Sequence, residues 1–476
     1  MNSAFILALH QHQPIITAGQ NGAPISNLQY MFEHQGEGDN HNAGVFKHCY
    51  ERLGDIIPQL VSEGKKPRIM LDYSGNLLWG FEKMNFQDTL GKLRNLAHNF
   101  QNEAEFLCTP WGHAVAPSTP PADYRLHIKA WKNYFAHLFG EDAVARVQGF
   151  SPSEMALPNH PDLAYEYIKT LREEGFSYVL IQEHTVELPD GSGLRERYLP
   201  HQLICKNTKG ETASIVALIK TQGSDTKLVA QMQPYYEAQT LGQKNIGSIS
   251  VPQVVTQIAD GENGGVMMNE FPGKYMEAVR ELGNGQGDVQ LMNGTEYLLY
   301  IESLGVKTTD LPVCQPIHQA AFFKRFDERR GLKSHGYTPT LSDASLRDEG
   351  TQGAAPQVIP PSIEGRGLGG RGEAVGDVAA VIAECKKADY RFHMEGGSWT
   401  NNISWVNGYQ GLLGDMEKAS IAFHKKFGDN PPTNILESDA LFNLLCAQTS
   451  CFRYWGEGVW PEYGREFCRR AMRACE

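Results

Sequence analysis

From the N-terminus to about residue 300, short apolar runs alternate with longer stretches whose apolar positions recur at helical spacing. Runs at 5–9, 68–73, 105–108, 146–149, 178–181, 214–220, 254–258 and 289–292 read as strands. Several are continuously apolar, as expected of parallel strands covered on both faces. Stretches 43–63, 124–139 and 160–174 read as helices. In the last of these, Leu163, Tyr167, Ile168 and Leu171 share one face, and Gly175 stands where the helix should end. Repeated strand–helix alternation predicts a parallel sheet, and seven or eight such units predict a closed α/β barrel.

Past residue 301 the pattern changes. Residues 338–376 are rich in Gly, Pro, Ser and Ala, with Pro360-Pro361 and the run Gly365-Arg366-Gly367-Leu368-Gly369-Gly370. This composition predicts a long flexible loop. Helical patterns return at 374–389, 411–427 and 438–450, which makes 301–476 a mainly α-helical region after a 1–300 α/β domain.

Composition narrows the partners. Of 476 residues, 43 are Lys or Arg and 55 are Asp or Glu, for a net charge of -12. No basic stretch is present, so the chain lacks the clustered cations that a nucleic-acid backbone requires. No apolar run approaches the roughly 20 residues that span a bilayer. The opening segment has no basic n-region, and its apolar core runs straight into His10-Gln11-His12-Gln13-Pro14, so a buried strand is expected there rather than a leader. The nine cysteines include no C-x-x-C pair and are odd in number. Neither a disulfide framework nor a zinc ribbon is expected, and a reducing cytoplasm fits best. The oligomeric state has no signature in the sequence.

Candidate chemistry follows from where the strands stop. In chain order they run into His10 and His12, Asp72, His113, Glu154, Glu183 with His184, and Asp260. The C-terminal strand ends of a parallel barrel share one face, so these side chains are expected to converge on a cleft. His10 and His12 are two residues apart on a strand and project to one side, where they can bind a metal or hydrogen-bond a polyhydroxylated substrate. Glu154 lies between Pro152 and Pro158, which restrict its backbone and suit a carboxylate held in a fixed direction. Asp260-Gly261-Glu262-Asn263 follows an apolar run and offers a second carboxylate. Two carboxyls about 5–5.5 Å apart support retaining glycoside cleavage. The loop Met394-Glu395-Gly396-Gly397-Ser398-Trp399, with Trp405 and Tyr409 after it, can grip a sugar ring or serve as a structural anchor.

These motifs, in this order, resemble glycoside hydrolase family 57. His10-Gln11-His12-Gln13-Pro14 is similar to the family's first motif, Trp111-Gly112-His113 to its second, 150–158 to its third, 260–272 to its fourth and 447–456 to its fifth. The resemblance implies a distorted (β/α)7 barrel followed by a mainly α-helical C-terminal region. It also implies a retaining double displacement on α-glucans such as glycogen, starch or maltooligosaccharides, ending in hydrolysis or in glucan transfer. By the same resemblance Glu154 is the nucleophile and Asp260 the acid/base. His10, His12, His113 and Glu262 hold sugar hydroxyls, Trp399, Trp405 and Trp455 stack on sugar faces, and neither metal nor cofactor takes part. This sequence departs from the family pattern at Ser151-Pro152-Ser153 before the nucleophile, at Gly264-Gly265 and Met267-Met268, and at Cys451, where an acidic residue is frequent. Two other readings stay open. One is a deacetylase-like hydrolase with zinc on His10, His12 and Asp260. The other is a glycan-binding protein without turnover.

Overall fold

The computed structural model describes residues 1–221, 226–262, 268–283, 287–331, 372–388, 410–454 and 458–476. Seven of its strands carry the argument: β1 (Ser3–Gln11), β2 (Ile69–Tyr73), β3 (Ala104–Leu107), β4 (Gly149–Phe150), β5 (Tyr178–Gln182), β6 (Thr212–Lys220) and β7 (Ile249–Asp260). β1 pairs in parallel with β2 on one side and β7 on the other. β2 pairs with β3, β4 with β5, β5 with β6, and β6 with β7, all in parallel. An isolated parallel bridge between Cys108 and Phe150 links the end of β3 to β4, so the pairings return to β1. The sheet is extended by His201–Lys206, antiparallel to β6, and by Val313–Pro316, parallel to His201–Lys206. Val289–Leu291 pairs with the start of β1.

Alternation along the strands sorts the core into two faces. Ala4, Ile6 and Ala8 of β1 pack with Met70, Leu180, Leu218, Val254 and Ile258 from neighbouring strands. Phe5, Leu7 and Leu9 join a larger cluster with helical residues such as Leu60, Leu93 and Tyr235. β1 is buried along both faces, which is why its sequence is continuously apolar. Polar residues that extend the first set at the C-terminal ends, namely His10, Asp72 and Asp260, inherit its face.

The predicted elements are found with shifts of a few residues, apart from two. The strand expected at 146–149 is only Gly149–Phe150, because Glu141–Ala145 forms a short helix just before it. A Cβ on Gly149 would fall 2.3 Å from Tyr178 Cζ, so strand contact begins at a residue without a side chain. The helix expected over 43–63 is two helices, Ala43–Glu51 and Leu53–Ser62, with Arg52 between them turned inward to the carbonyls of Met268 and Gly261. Strands His201–Lys206 and Val313–Pro316 have no counterpart among the predicted ones, since their sequences mix polar and apolar residues without an apolar run.

In the C-terminal part, helices Gln410–Phe427, Asp439–Ala447 and Trp460–Ala474 pack together through Leu412, Met416, Phe423, Leu441, Phe452 and Phe467. Those side chains belong to the same cluster as the helical face of the sheet. Most of the 338–376 segment lies outside the described residues; its last five begin helix Gly372–Ala388. Among the described residues no helix is long and apolar enough to cross a membrane.

Candidate active site

Strand register builds one side of the site. His10 stands opposite Asp72 on β2 and Asp260 on β7, so the three lie side by side across three adjacent strands. His10 Nδ1 is 2.6 Å from Asp72 Oδ1, and both residues are buried. Burial alone would make His10 harder to protonate. Asp72, with further pull from Glu262 and Asp260, outweighs it and holds the imidazole up to about 10, so His10 is a cation at neutral pH. Burial raises the Asp260 pKa, the positive His10 opposes the rise, and Asp72 adds to it. Glu262 is pushed well above the ordinary carboxylate range by burial and by the charge of Asp260.

A second imidazole lies one pleat further on. His12 Nδ1 is 2.7 Å from Ser74 Oγ, at the N-cap of helix Gly75–Lys83. Burial and the neighbouring His10 charge keep His12 neutral. The third, His113, sits in the loop after β3 with φ +56, a left-handed backbone that a side chain adopts only under constraint. Its ring stacks on His12, centroids 4.0 Å apart, and approaches His10 at 4.7 Å.

Glu154 reaches the same cluster from the loop after β4. It is also left-handed, with φ +58, and Met155 after it has φ +49. Such strain in consecutive residues persists only where the surroundings enforce it. The turn is anchored on either side of Glu154, with Ser153, Met155 and Leu157 all buried. Glu154 Oε1 accepts a hydrogen bond from Ser450 Oγ at 3.0 Å, and His113 Nδ1 lies 2.8 Å from the same hydroxyl. With the Ser450 proton committed to Glu154, His113 donates Nδ1–H to Ser450 Oγ. Ser450 thereby connects the Glu154 carboxylate to the imidazole stack.

Ser450 comes from the far end of the chain, and a continuous set of contacts seats it. Thr449 forms a backbone bridge with Ala114, and Ser450 N–H donates to the His113 carbonyl. Gln448 bonds His127 and Asp123, while His127 Nδ1 accepts from Gly112 N–H. Gly112 has no room for a side chain, since a Cβ would sit 2.2 Å from the Leu445 carbonyl oxygen. Cys451, the next residue, is buried with Sγ 3.3 Å from His12 Nε2.

The structure thus brings His10, His12, His113, Glu154, Asp260 and Glu262 into one interacting group. Glu183 instead lies 3.4 Å from Arg197. Trp399, Trp405 and Trp455 lie outside the described residues, as do 263–267. Asp72, one of the strand-end residues expected to converge, is the partner of His10, and Cys451, the departure in the fifth motif, lies against His12; Ser74 and Ser450 are contributors that the sequence did not single out. Asp72 is legible because it stands two residues after Met70 on one strand face. Neither serine carries a local pattern that marks it as a partner of an imidazole or of Glu154. Among the described residues, buried atoms of the cleft that make no hydrogen bond include His10 Nε2, Glu262 Oε2 and the side-chain amide of Gln11. Buried polar atoms of this kind are costly unless a ligand or water satisfies them.

A family model described as "Glycosyl hydrolase family 57" matches residues 6–298. That span contains His10 through Asp260, whereas Ser450 and Cys451 lie beyond it. A search among curated proteins returns no match. Among solved structures, the 4-alpha-glucanotransferase from Thermococcus litoralis is similar at 17% identity and a TM-score of 0.55, covering 100% of this chain and 59% of that one. This chain therefore spans less than two thirds of the glucanotransferase's length. The alpha-amylase AmyC from Thermotoga maritima is similar at 10% identity and a TM-score of 0.53, with 100% and 93% covered. At these identities the likeness is one of fold.

Proposed function

Because the chain belongs to glycosyl hydrolase family 57, we propose that it is a retaining enzyme acting on α-linked glucans. The closed circuit of parallel strand pairings is read as a distorted (β/α)7 barrel within residues 1–300, with 301–476 as a mainly helical region that contributes Ser450. Glu154 attacks the anomeric carbon while Asp260 protonates the departing glycosidic oxygen. Asp260 then takes the proton from water or from an acceptor sugar hydroxyl, which attacks the same carbon and releases Glu154. His10, His12, His113 and Glu262 bind sugar hydroxyls, and the hydrogen-bond capacity left at His10 Nε2 and Glu262 Oε2 supports this role. Trp399, Trp405 and Trp455 are assigned to sugar stacking.

The observation that carries the reading is the division of labour between the two carboxylates. Glu154 accepts a hydroxyl hydrogen bond from Ser450, which favours the ionised form that a nucleophile needs. Asp260 is half-buried, and its desolvation together with the Asp72 charge favours keeping the proton that an acid needs. Nine cysteines without a disulfide fit a reducing compartment, and a cytoplasmic location is proposed on that basis. The partner is an α-glucan oligo- or polysaccharide and no nucleic acid. The test is incubation with maltooligosaccharides and with glycogen, with products resolved by size and linkage. Only shorter sugars mean hydrolysis, longer ones mean transfer, and new α-1,6 branch points mean branching. Asp260→Asn should lower kcat by about 10²–10⁴-fold, and Glu154→Gln by no less. Near wild-type turnover in either variant refutes the assignment.

A further inference from the structure

His12, His113 and Cys451 are all buried, and one ligand atom from each lies within 4.8 Å of the others. Among the described residues they are the one group of His, Cys and carboxylate side chains drawn together in this way. Two imidazoles and a thiol are a ligand set for a borderline-soft ion, and they disfavour magnesium and calcium, which take oxygen ligands. From these observations we infer that His12, His113 and Cys451 form a binding site for a single zinc ion in the wall of the cleft.

The surroundings fit that assignment. Ser74 engages His12 Nδ1 and Ser450 engages His113 Nδ1, the outer-shell contacts that orient imidazoles whose other nitrogen meets a metal. Cys451 Sγ already lies 3.3 Å from His12 Nε2. In a tetrahedral zinc site the bond lengths of about 2.0–2.1 Å to nitrogen and 2.3 Å to sulfur place neighbouring ligand atoms about 3.3–3.6 Å apart. The Cys451–His12 pair, at 3.3 Å, is within about 0.3 Å of the nitrogen–sulfur separation these lengths imply. The stacked rings, 4.0 Å between centroids and 11° from parallel, must tilt apart on binding so that both in-plane nitrogen lone pairs face one ion. On binding, the Cys451 S–H bond breaks, its proton leaves to solvent and a zinc–sulfur bond forms. Three protein ligands leave the fourth tetrahedral position to an exchangeable ligand, beside the Ser450 hydroxyl that bonds both His113 and Glu154. Zinc there occupies histidines that the glucan reading assigns to the sugar, so zinc and glucan exclude each other. Only that last consequence rests on the proposed function.

The experiment uses the full chain, reduced and stripped with a chelator, titrated with zinc chloride by calorimetry and with cobalt(II) followed optically. The expected result is one ion per chain and a sulfur-to-cobalt charge-transfer band. Cys451→Ser should abolish the band and weaken zinc binding at least tenfold, and His113→Gln should weaken it comparably, whereas Cys49→Ser should change neither. Native mass spectrometry of the wild type gives a mutation-free readout, since one zinc per chain should add to the mass. Absence of stoichiometric binding overturns the inference, and so does undiminished binding in folded Cys451→Ser or a zinc-free mass for the zinc-treated wild type. Glu154→Gln separates the two readings, because it should stop glucan turnover and leave the cobalt band in place.

Discussion

Replacing Asp72 by Asn tests the electrostatics of the His10 strand register directly. Burial opposes the His10 charge, yet Asp72 at 2.6 Å, with Glu262 and Asp260, lifts its pKa from 6.5 to about 10. Each tenfold change in proton affinity is worth about 1.4 kcal/mol, so the shift sets a ceiling of about 5 kcal/mol. Removing one partner of a buried pair costs about 3–5 kcal/mol, and because Asn keeps a hydrogen bond to the ring we expect about 3 kcal/mol at pH 6. The pKa is higher in the folded than in the unfolded chain. The stabilisation is therefore complete below pH about 6.5 and disappears as pH rises to about 10. Urea unfolding of both proteins, followed by far-ultraviolet circular dichroism at pH 6 and pH 9, checks this. The stability gap should fall from about 3 kcal/mol at pH 6 to about 1.4 kcal/mol at pH 9. A gap that is small at pH 6, or equal at both pH values, refutes a charged His10 held by Asp72.

Ser450→Ala removes the hydroxyl shared by Glu154 and His113. A hydrogen bond to a charged group is worth about 1.5–3 kcal/mol, so kcat on maltooligosaccharides should drop about 10- to 150-fold with KM and melting temperature little changed. Gly261→Ala puts a Cβ 2.0 Å from Gln11 Nε2, beside Asp260. Displacing that amide should cost at least about tenfold in kcat/KM, equivalent to about 1.4 kcal/mol, with circular dichroism unchanged. Gly75→Ala puts a Cβ 1.9 Å from Cδ1 of the fully buried Trp111. Overpacking of that kind should destabilise the fold by about 1–3 kcal/mol in urea titration.

Covalent periodicity made much of this protein legible from its sequence. A strand reverses its side chains at each residue, so a continuous apolar run from Ala4 to Leu9 fits a strand buried on both faces, on which His10 and His12 share a side. The same rule places Asp72 after Met70 and Asp260 after Ile258. Helices such as Pro161–Glu173 were readable because their apolar spacing and terminal glycine are local facts.

Tertiary structure decided what these residues meet. Nothing local to Ser450 says that it bonds Glu154, 296 positions away, or that Thr449 docks on Ala114. That contact depends on helix Asp439–Ala447 packing against the loop at Gly112, and on Gln448 joining Asp123 to His127. The charge on His10 and the neutrality of His12 are likewise products of assembly, two residues apart in sequence but opposite in proton affinity. Burial acts on both rings, and only one has a carboxylate across the sheet. Sequence period determines which way a side chain points, and long-range packing determines which charge stands opposite it.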